Sequence, residues 1–177
     1  MAGPPADSTQ WTEALSGACP LAEDFVRAMR RTAAGVAIVT TLRNGVPAGV
    51  TVSSFGSLSA DPPSVLVALN GESRTLDAIL ESRVFAANVL ADDHSELAKA
   101  FSGAVPSEGR FAHGTWGVLE TGSPVLASAL AAFDCRLATT FQFGTHHILI
   151  GEVVAIRVGE ARPLVYHART YGRFGEE

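Results

Sequence analysis

Three short segments hold most of the polar side chains with chemical use. The first is Thr51-Val52-Ser53-Ser54-Phe55-Gly56-Ser57-Leu58-Ser59. On a strand, Val50 and Val52 face one side while Thr51 and Ser53 face the other, so two hydroxyls share a face just before Gly56 loosens the chain. Small hydroxyls and open backbone N–H groups match the edge of a planar heteroaromatic ligand. Taken alone, the same residues fit a solvated strand face and a Ser-rich turn better. The second segment is Asn70-Gly71-Glu72-Ser73-Arg74-Thr75, at the mouth of an expected helix. Ser73, Arg74, Thr75 and the free helix N–H groups form a set that could receive a phosphate. A Ser or Thr cap with a solvent-facing Arg describes it equally well. The third segment opens a strand with His146 and His147, whose side chains must point to opposite faces, so only one can line a given pocket. No carboxylate at relay spacing accompanies them, and a lone strand His is more often structural than catalytic.

Common alternatives are absent from the sequence. There is no G-x-G-x-x-G, no G-x-x-x-x-G-K-[ST] and no G-x-S-x-G, which removes the signatures of a dinucleotide-binding turn, a P-loop and a nucleophile elbow. No C-x-x-C or H-x-x-x-H spacing supports a metal. Cys19 and Cys135 are too few and too far apart for a disulfide framework, and Cys135, in Phe133-Asp134-Cys135-Arg136-Leu137, reads as a buried inert thiol.

The elements that must position these residues fit one domain. The chain has 177 residues, 47% hydrophobic and 18% charged, enough for a sizeable core and too apolar for disorder. Its 13 basic and 18 acidic residues give a net charge of −5 with no basic stripe, which argues against nucleic acid as a partner. An anionic ligand would therefore depend on locally placed donors. Residues 1–16 lack an apolar segment of the kind a signal peptide carries, and no apolar run approaches the ~20 residues that span a bilayer. A cytoplasmic protein without membrane contact is the expectation. Residues 1–19 read as a flexible extension, and 20–177 as the domain. Leu21, Phe25, Ala28 and Met29 make one apolar helical face.

Strands are expected at 36–41, 49–54, 64–69, 84–89, 133–140, 147–156 and 164–167, with Asn44-Gly45 turning the first hairpin. Short helices are expected at 75–81, with Leu76, Ile79 and Leu80 inward, and after Asp92 or Asp93 as cap, carrying Leu97, Ala98 and Phe101. The stretch 103–117 reads as a Gly-rich loop. Six or seven strands with two or three helices point to a mainly β fold, a closed or nearly closed barrel with peripheral helices.

In this order and spacing, the segments resemble the flavin reductase-like domain, the reductase component of two-component flavin-dependent monooxygenases. The resemblance covers about residues 22–174 and includes Gly35-Val36-Ala37-Ile38-Val39, Gly49 to Ser59, Asn70 to Thr75, Phe101-Ser102-Gly103, Arg110-Phe111, Gly122-Ser123-Pro124 and Gly144-Thr145-His146. It implies an FMN-binding split β-barrel, a homodimer with flavin near the interface, and NADH or NADPH as co-substrate. FMN is the implied flavin and FAD a possible one. Carried over residue by residue, Thr51, Val52, Ser53 and Ser54 would meet the isoalloxazine and ribityl chain, with Ser59 beside the flavin. Asn70, Ser73, Arg74 and Thr75 would lie near the ribityl and phosphate groups, and Arg110 would reach the phosphate. Phe101, Ser102 and Gly103 would complete the pocket, and His146 would hold the nicotinamide nucleotide. Arg169, Tyr171 and Arg173 fall in the family's C-terminal segment.

Hydride passes between cofactors in such enzymes, so no catalytic acid–base residue is implied. The implied activity is an NAD(P)H-dependent flavin reductase that supplies a separate monooxygenase. The alternatives are a non-catalytic flavin- or haem-binding barrel and a reductase that uses bound flavin to reduce another acceptor such as a corrin. The sequence departs from the pattern at Ala33-Ala34, Gly56 and Thr145, which bears on flavin choice more than on reaction class.

Overall fold

A computed structural model of the chain describes residues 21–175, so the expected N-terminal extension and Cys19 lie outside the described residues. The elements run in chain order as α1 (Ala22–Met29), β1 (Ala34–Gly35), β2 (Ala37–Arg43), β3 (Val46–Val52), β4 (Gly56–Ala60), β5 (Pro63–Asn70), α2 (Arg74–Ser82) and β6 (Val84–Val89). There follow α3 (Ser95–Lys99), a π turn and a 3₁₀ turn over 100–112, β7 (Trp116–Val118), β8 (Pro124–Leu126), β9 (Ala131–Phe143), β10 (His146–Val158), β11 (Leu164–His167) and β12 (Thr170–Arg173). The mainly β reading with peripheral helices holds.

Seven strands form an antiparallel sheet in the order β3-β2-β6-β9-β10-β5-β4. Its edge strands, β3 and β4, are consecutive in sequence, so the sheet must curl until residues 53–55 can connect its two edges. Ser54 extends the β4–β5 ladder with its side chain: its Oγ donates to the Ala68 carbonyl at 2.7 Å and accepts the Ala68 N–H at 3.2 Å. The result is a split-barrel-like fold with an open seam beside β3. Pro47 is tolerated there because an edge strand has no outer neighbour that needs its missing N–H.

The sequence explains the central strand. Ala37, Ile38, Val39, Thr40 and Thr41 are all buried, as a β-branched run covered on both faces should be. Ala37 and Val39 join Phe85, Leu149 and Leu76 in one core, while Ile38 joins Phe101, Leu126 and Leu164 in a second. Asn44 and Gly45 turn the β2–β3 hairpin with φ of 52° and 80°, the left-handed pair that this turn type requires.

Several expectations change. The first hairpin's return strand ends at Val52, so Ser53 and Ser54 belong to the connection rather than the strand. Gly56 does not loosen the chain but begins β4, a strand where a Ser-rich turn is expected from the sequence. Among the described residues there are twelve strands, several very short, rather than six or seven. The cap position of α3 is His94, not Asp92 or Asp93, and it makes no side-chain cap bond; its Nδ1 instead accepts the N–H of Ala91, ahead of the helix, at 3.1 Å. The apolar face of α1 exists but is left uncovered by the described residues, with Leu21 68%, Phe25 64% and Met29 51% exposed.

Candidate functional site

Helix α2 lies alongside the β2–β3 hairpin, and its last turn is pinned to the hairpin tip. Arg43 Nε pairs with Glu81 Oε2 at 2.6 Å, and Asn44 Nδ2 donates to Glu81 Oε1 at 3.3 Å. The first turn of α2 is fed by the β5–α2 connection. Asn70 Oδ1 accepts the Glu72 N–H at 2.8 Å, and the Ser73 N–H donates to the Asn70 carbonyl at 3.0 Å. Ser73 takes the extended N-cap conformation yet makes no side-chain cap bond, which leaves its hydroxyl open to a ligand. Between helix and hairpin is a cleft of about 730 Å³, into which Asn70, Ser73, Arg74, Thr75 and Arg110 converge.

Arg110 closes one side of that cleft from the 3₁₀ turn. Its Nη1 donates to the Gly49 carbonyl at 3.0 Å and its Nε to the Val105 carbonyl at 3.1 Å. Gly49 is needed there because a Cβ would lie 2.8 Å from Phe101 Cε1 and 3.2 Å from Phe111 Cζ. Phe101, Phe111 and Trp116 form a ring cluster, with Phe101 and Phe111 edge-to-face at 5.0 Å. Phe101 is fully buried, so it supports the cleft floor from beneath rather than forming a wall. Glu108, fully exposed near the cleft, is held below the usual carboxylate range by its own backbone N–H and then by the Ser107 hydroxyl, with smaller attractions from Arg74 and Arg110.

The residues expected around the flavin ring fall elsewhere. Thr51, Val52, Ser53 and Ser102 line a smaller cleft of about 230 Å³ with Val36, Tyr166 and Tyr171. Thr51 donates to the Ala98 carbonyl at 2.8 Å, and Ser102 to the Lys99 carbonyl at 2.9 Å. Burial pushes the Tyr171 phenol up. Gly103 sits at φ 116°, where a Cβ would meet nothing, so its requirement is purely conformational. Ser54 is committed to Ala68. Ser59 is turned onto its own loop, accepting the Asp61 N–H at 3.1 Å, and lines neither cleft. His146 stands opposite Asn70 in the β5–β10 register, with Nδ1 3.0 Å from Thr145 Oγ1, and is exposed beside the Asn70–Gly71 turn.

Sequence reasoning missed the hairpin wall itself: Arg43, Asn44, Val46, Pro47, Ala48 and Val50 all line the large cleft. The Asn-Gly turn announced the hairpin, but nothing local announced α2 packing beside it.

Two other reactive groups are disposed of by geometry. Burial, with a smaller contribution from Asp134, pushes the Cys135 thiol up to about 12, which removes it as a nucleophile. His94 Nε2 lies 2.9 Å from Ser128 Oγ, but its Nδ1 already accepts the Ala91 N–H. The proton therefore sits on Nε2 and points at Ser128, so His94 cannot act as that hydroxyl's base. Among the described residues no group of three or more His, Cys, Asp or Glu could hold a metal ion, and no helix is long and apolar enough to cross a membrane.

The family model described as a flavin reductase like domain matches residues 29–175. The chain belongs to the flavin reductase-like family. Among curated relatives it is 42% identical over 154 residues to the FMN reductase (NADH) RutF of Bradyrhizobium diazoefficiens, covering 86% of each chain. Among solved structures it is similar to the flavin reductase PheA2, with 32% identity and a TM-score of 0.81 over 88% of this chain and 99% of that one. It is also similar to BorF, the flavin reductase component of a bacterial two-component tryptophan halogenase, with 28% identity and a TM-score of 0.80 over 88% and 99% of the respective chains.

Proposed function

We propose that this chain is an NADH-dependent flavin reductase that takes FMN and passes the reduced flavin to a separate flavin-dependent monooxygenase. The observation that carries the reading is the convergence of Ser73, Arg74, Thr75 and Arg110 on one cleft at the start of α2. The donor set fits a phosphomonoester: an uncommitted cap hydroxyl, a buried Thr, two guanidinium groups and the open N–H groups of a nine-residue helix. The naming of the curated relative as an FMN reductase (NADH) points the same way. Flavin, when bound, would supply the hydride acceptor, and this chain's own residues would supply alignment and charge placement.

In this reading Ser73 and Thr75 orient the phosphate, Arg74 and Arg110 offset its charge, and Asn70 holds the turn in place. Thr51 to Ser53 and Ser102, on the neighbouring cleft beyond Val50, face the ring side. His146 stands near the cleft end by Asn70, where it would steady the nicotinamide nucleotide. Phe101 and Ser54 act only as supports, and Ser59 has no part.

The remaining proposals concern assembly. One flavin reductase-like unit over 20–177, a homodimer and a cytoplasmic location are the readings kept. The uncovered apolar face of α1, together with Phe141 at 49% and Phe143 at 61% exposure on the β9–β10 hairpin, supports a covering protein surface.

The test is NADH oxidation by the purified 177-residue chain, followed by NADH absorbance with riboflavin, FMN or FAD added. Oxidation that depends on added or co-purified flavin is expected. A flavin-binding spectrum with no turnover under air or argon would sink the enzyme reading in favour of a storage or sensing barrel.

A further inference from the structure

Two hydroxyls on the smaller cleft have already committed their protons. Thr51 donates to the Ala98 carbonyl and Ser102 to the Lys99 carbonyl, so toward a ligand these two offer lone pairs. Tyr171 differs. It lines the same cleft, and among the described residues its O–H is given to no carbonyl and no carboxylate. Its polar neighbour is the Ser102 hydroxyl, whose own proton is taken. Tyr166 also lines the cleft, but it reaches round to the α1 side as well, beside Phe25 and Met29. A ligand oxygen entering the cleft therefore finds in Tyr171 a phenolic donor set among acceptors.

The fold holds that phenol firmly. Tyr171 stands opposite Tyr166 in the β11–β12 register, with the two rings 5.0 Å apart and tilted by 52°. The turn between the strands puts Ala168 and Arg169 at φ of 48° and 67°, a left-handed pair that side chains disfavour. The Ala168 N–H is anchored on the Arg30 carbonyl at 2.9 Å. Strain of this kind persists where the surroundings over-determine it, and it gathers at ligand-binding places. Strand β11 pairs in turn with β1, just before Val36 on the same cleft. Burial raises the ionisation of the Tyr171 phenol above its ordinary value of 10.0, against a smaller opposite pull from Ser102, so it keeps its proton at neutral pH.

In the function proposed above, the flavin ring lies beside Thr51 to Ser53. The pyrimidine edge of that ring carries carbonyl oxygens, and they gain negative charge when the flavin is reduced. A donor aimed where charge develops favours the charged state, because a hydrogen bond to a charged acceptor is roughly twice as strong as one to a neutral acceptor. We propose that Tyr171 reads the redox state of bound FMN: its O–H donates to the pyrimidine edge and holds the reduced form more tightly than the oxidised form. The inference rests on the FMN reading and adds to it a residue that divides affinity between the two forms.

The experiment measures the Kd of oxidised FMN and, under argon, of dithionite-reduced FMN, on the 177-residue chain and on Tyr171→Phe. The midpoint potential of the bound flavin is measured alongside. Tyr171→Phe keeps the ring and its contact with Tyr166, so the hairpin is preserved. The variant should weaken reduced FMN about five- to tenfold and oxidised FMN by about twofold or less. The potential should fall with it, by about 20 mV for a fivefold change in the ratio of the two Kd values, since tenfold is about 30 mV for a two-electron couple. An unchanged ratio and potential overturn the assignment. Equal weakening of both forms marks a disturbed cleft and overturns it too. A raised NADH KM at an unchanged ratio gives the phenol to the nicotinamide instead, and overturns it equally. Failure of the FMN reading looks different: the unsubstituted chain would then bind neither form, and the inference falls with it.

Discussion

At the scale of single residues, Arg74 and Ser73 open onto the cleft while Phe101 and Ser54 only shape the fold around it. Arg74 is exposed and makes no ion pair closer than 4.0 Å among the described residues, so its removal should act on the ligand alone. Arg74→Ala should weaken FMN binding about five- to tenfold and leave riboflavin unchanged, as a titration with each flavin will show. His146→Ala should raise the NADH KM more than the flavin Kd; the reverse would place His146 on the flavin. Cys135 gives a pH prediction. With its pKa near 12, only on the order of 10⁻⁴ of the thiol is ionised at pH 8. In a Cys19→Ser background, a disulfide reagent at pH 8 should label Cys135 only after denaturant is added. Because the folded value lies above the ordinary value of 9.0, this thiol's stabilising effect is complete below pH 9 and fades as pH rises toward 12. The placement of Ser73, Arg74 and Thr75 at the start of α2 was legible because a cap pattern is local. Ser54 was not, because its partner Ala68 lies fourteen residues away, and hydroxyls carry no label of their partner.

At the scale of elements, one glycine couples the core to the cleft. Gly49 lets β3 lie against the Phe101 and Phe111 rings while its carbonyl receives Arg110. Phe101 is fully buried and cannot swing away, so Gly49→Ala should cost about 1–3 kcal/mol in urea unfolding and should displace Arg110 as well. FMN binding should fall in the same variant. The β2–β3 hairpin and α2 were readable because the Asn44-Gly45 turn and the Leu76–Ile79 spacing follow single-element rules. Strand β4 was not, since Gly56-Ser57-Leu58-Ser59-Ala60 has no β-branched residue and is a strand only through its ladder to β5. Strand β12 was hidden by its turn. Ala168 and Arg169 adopt φ of 48° and 67° with no Gly or Asn to announce it.

At the scale of the whole molecule, the uncovered apolar face of α1 predicts association. The 18.5 kDa chain should sediment as a dimer of about 37 kDa, twice that mass, and Phe25→Glu combined with Met29→Glu should shift it toward monomer if α1 lies in the interface. A monomer in the unsubstituted protein at micromolar concentration would remove the dimer proposal. The mainly β class was legible from the β-branched runs and turn signals, whereas the covering of α1 was not, because a helical face looks the same whichever body it meets. The open seam has one more consequence. A sheet that keeps β3 free for a ligand also keeps it free for any passing strand, and runaway edge pairing between copies is the hazard. Pro47 and Gly49, two apart, face the same way, and the Gly49 carbonyl points outward to Arg110. Pro47 thus removes a donor from the exposed side, while its wall position still serves the cleft.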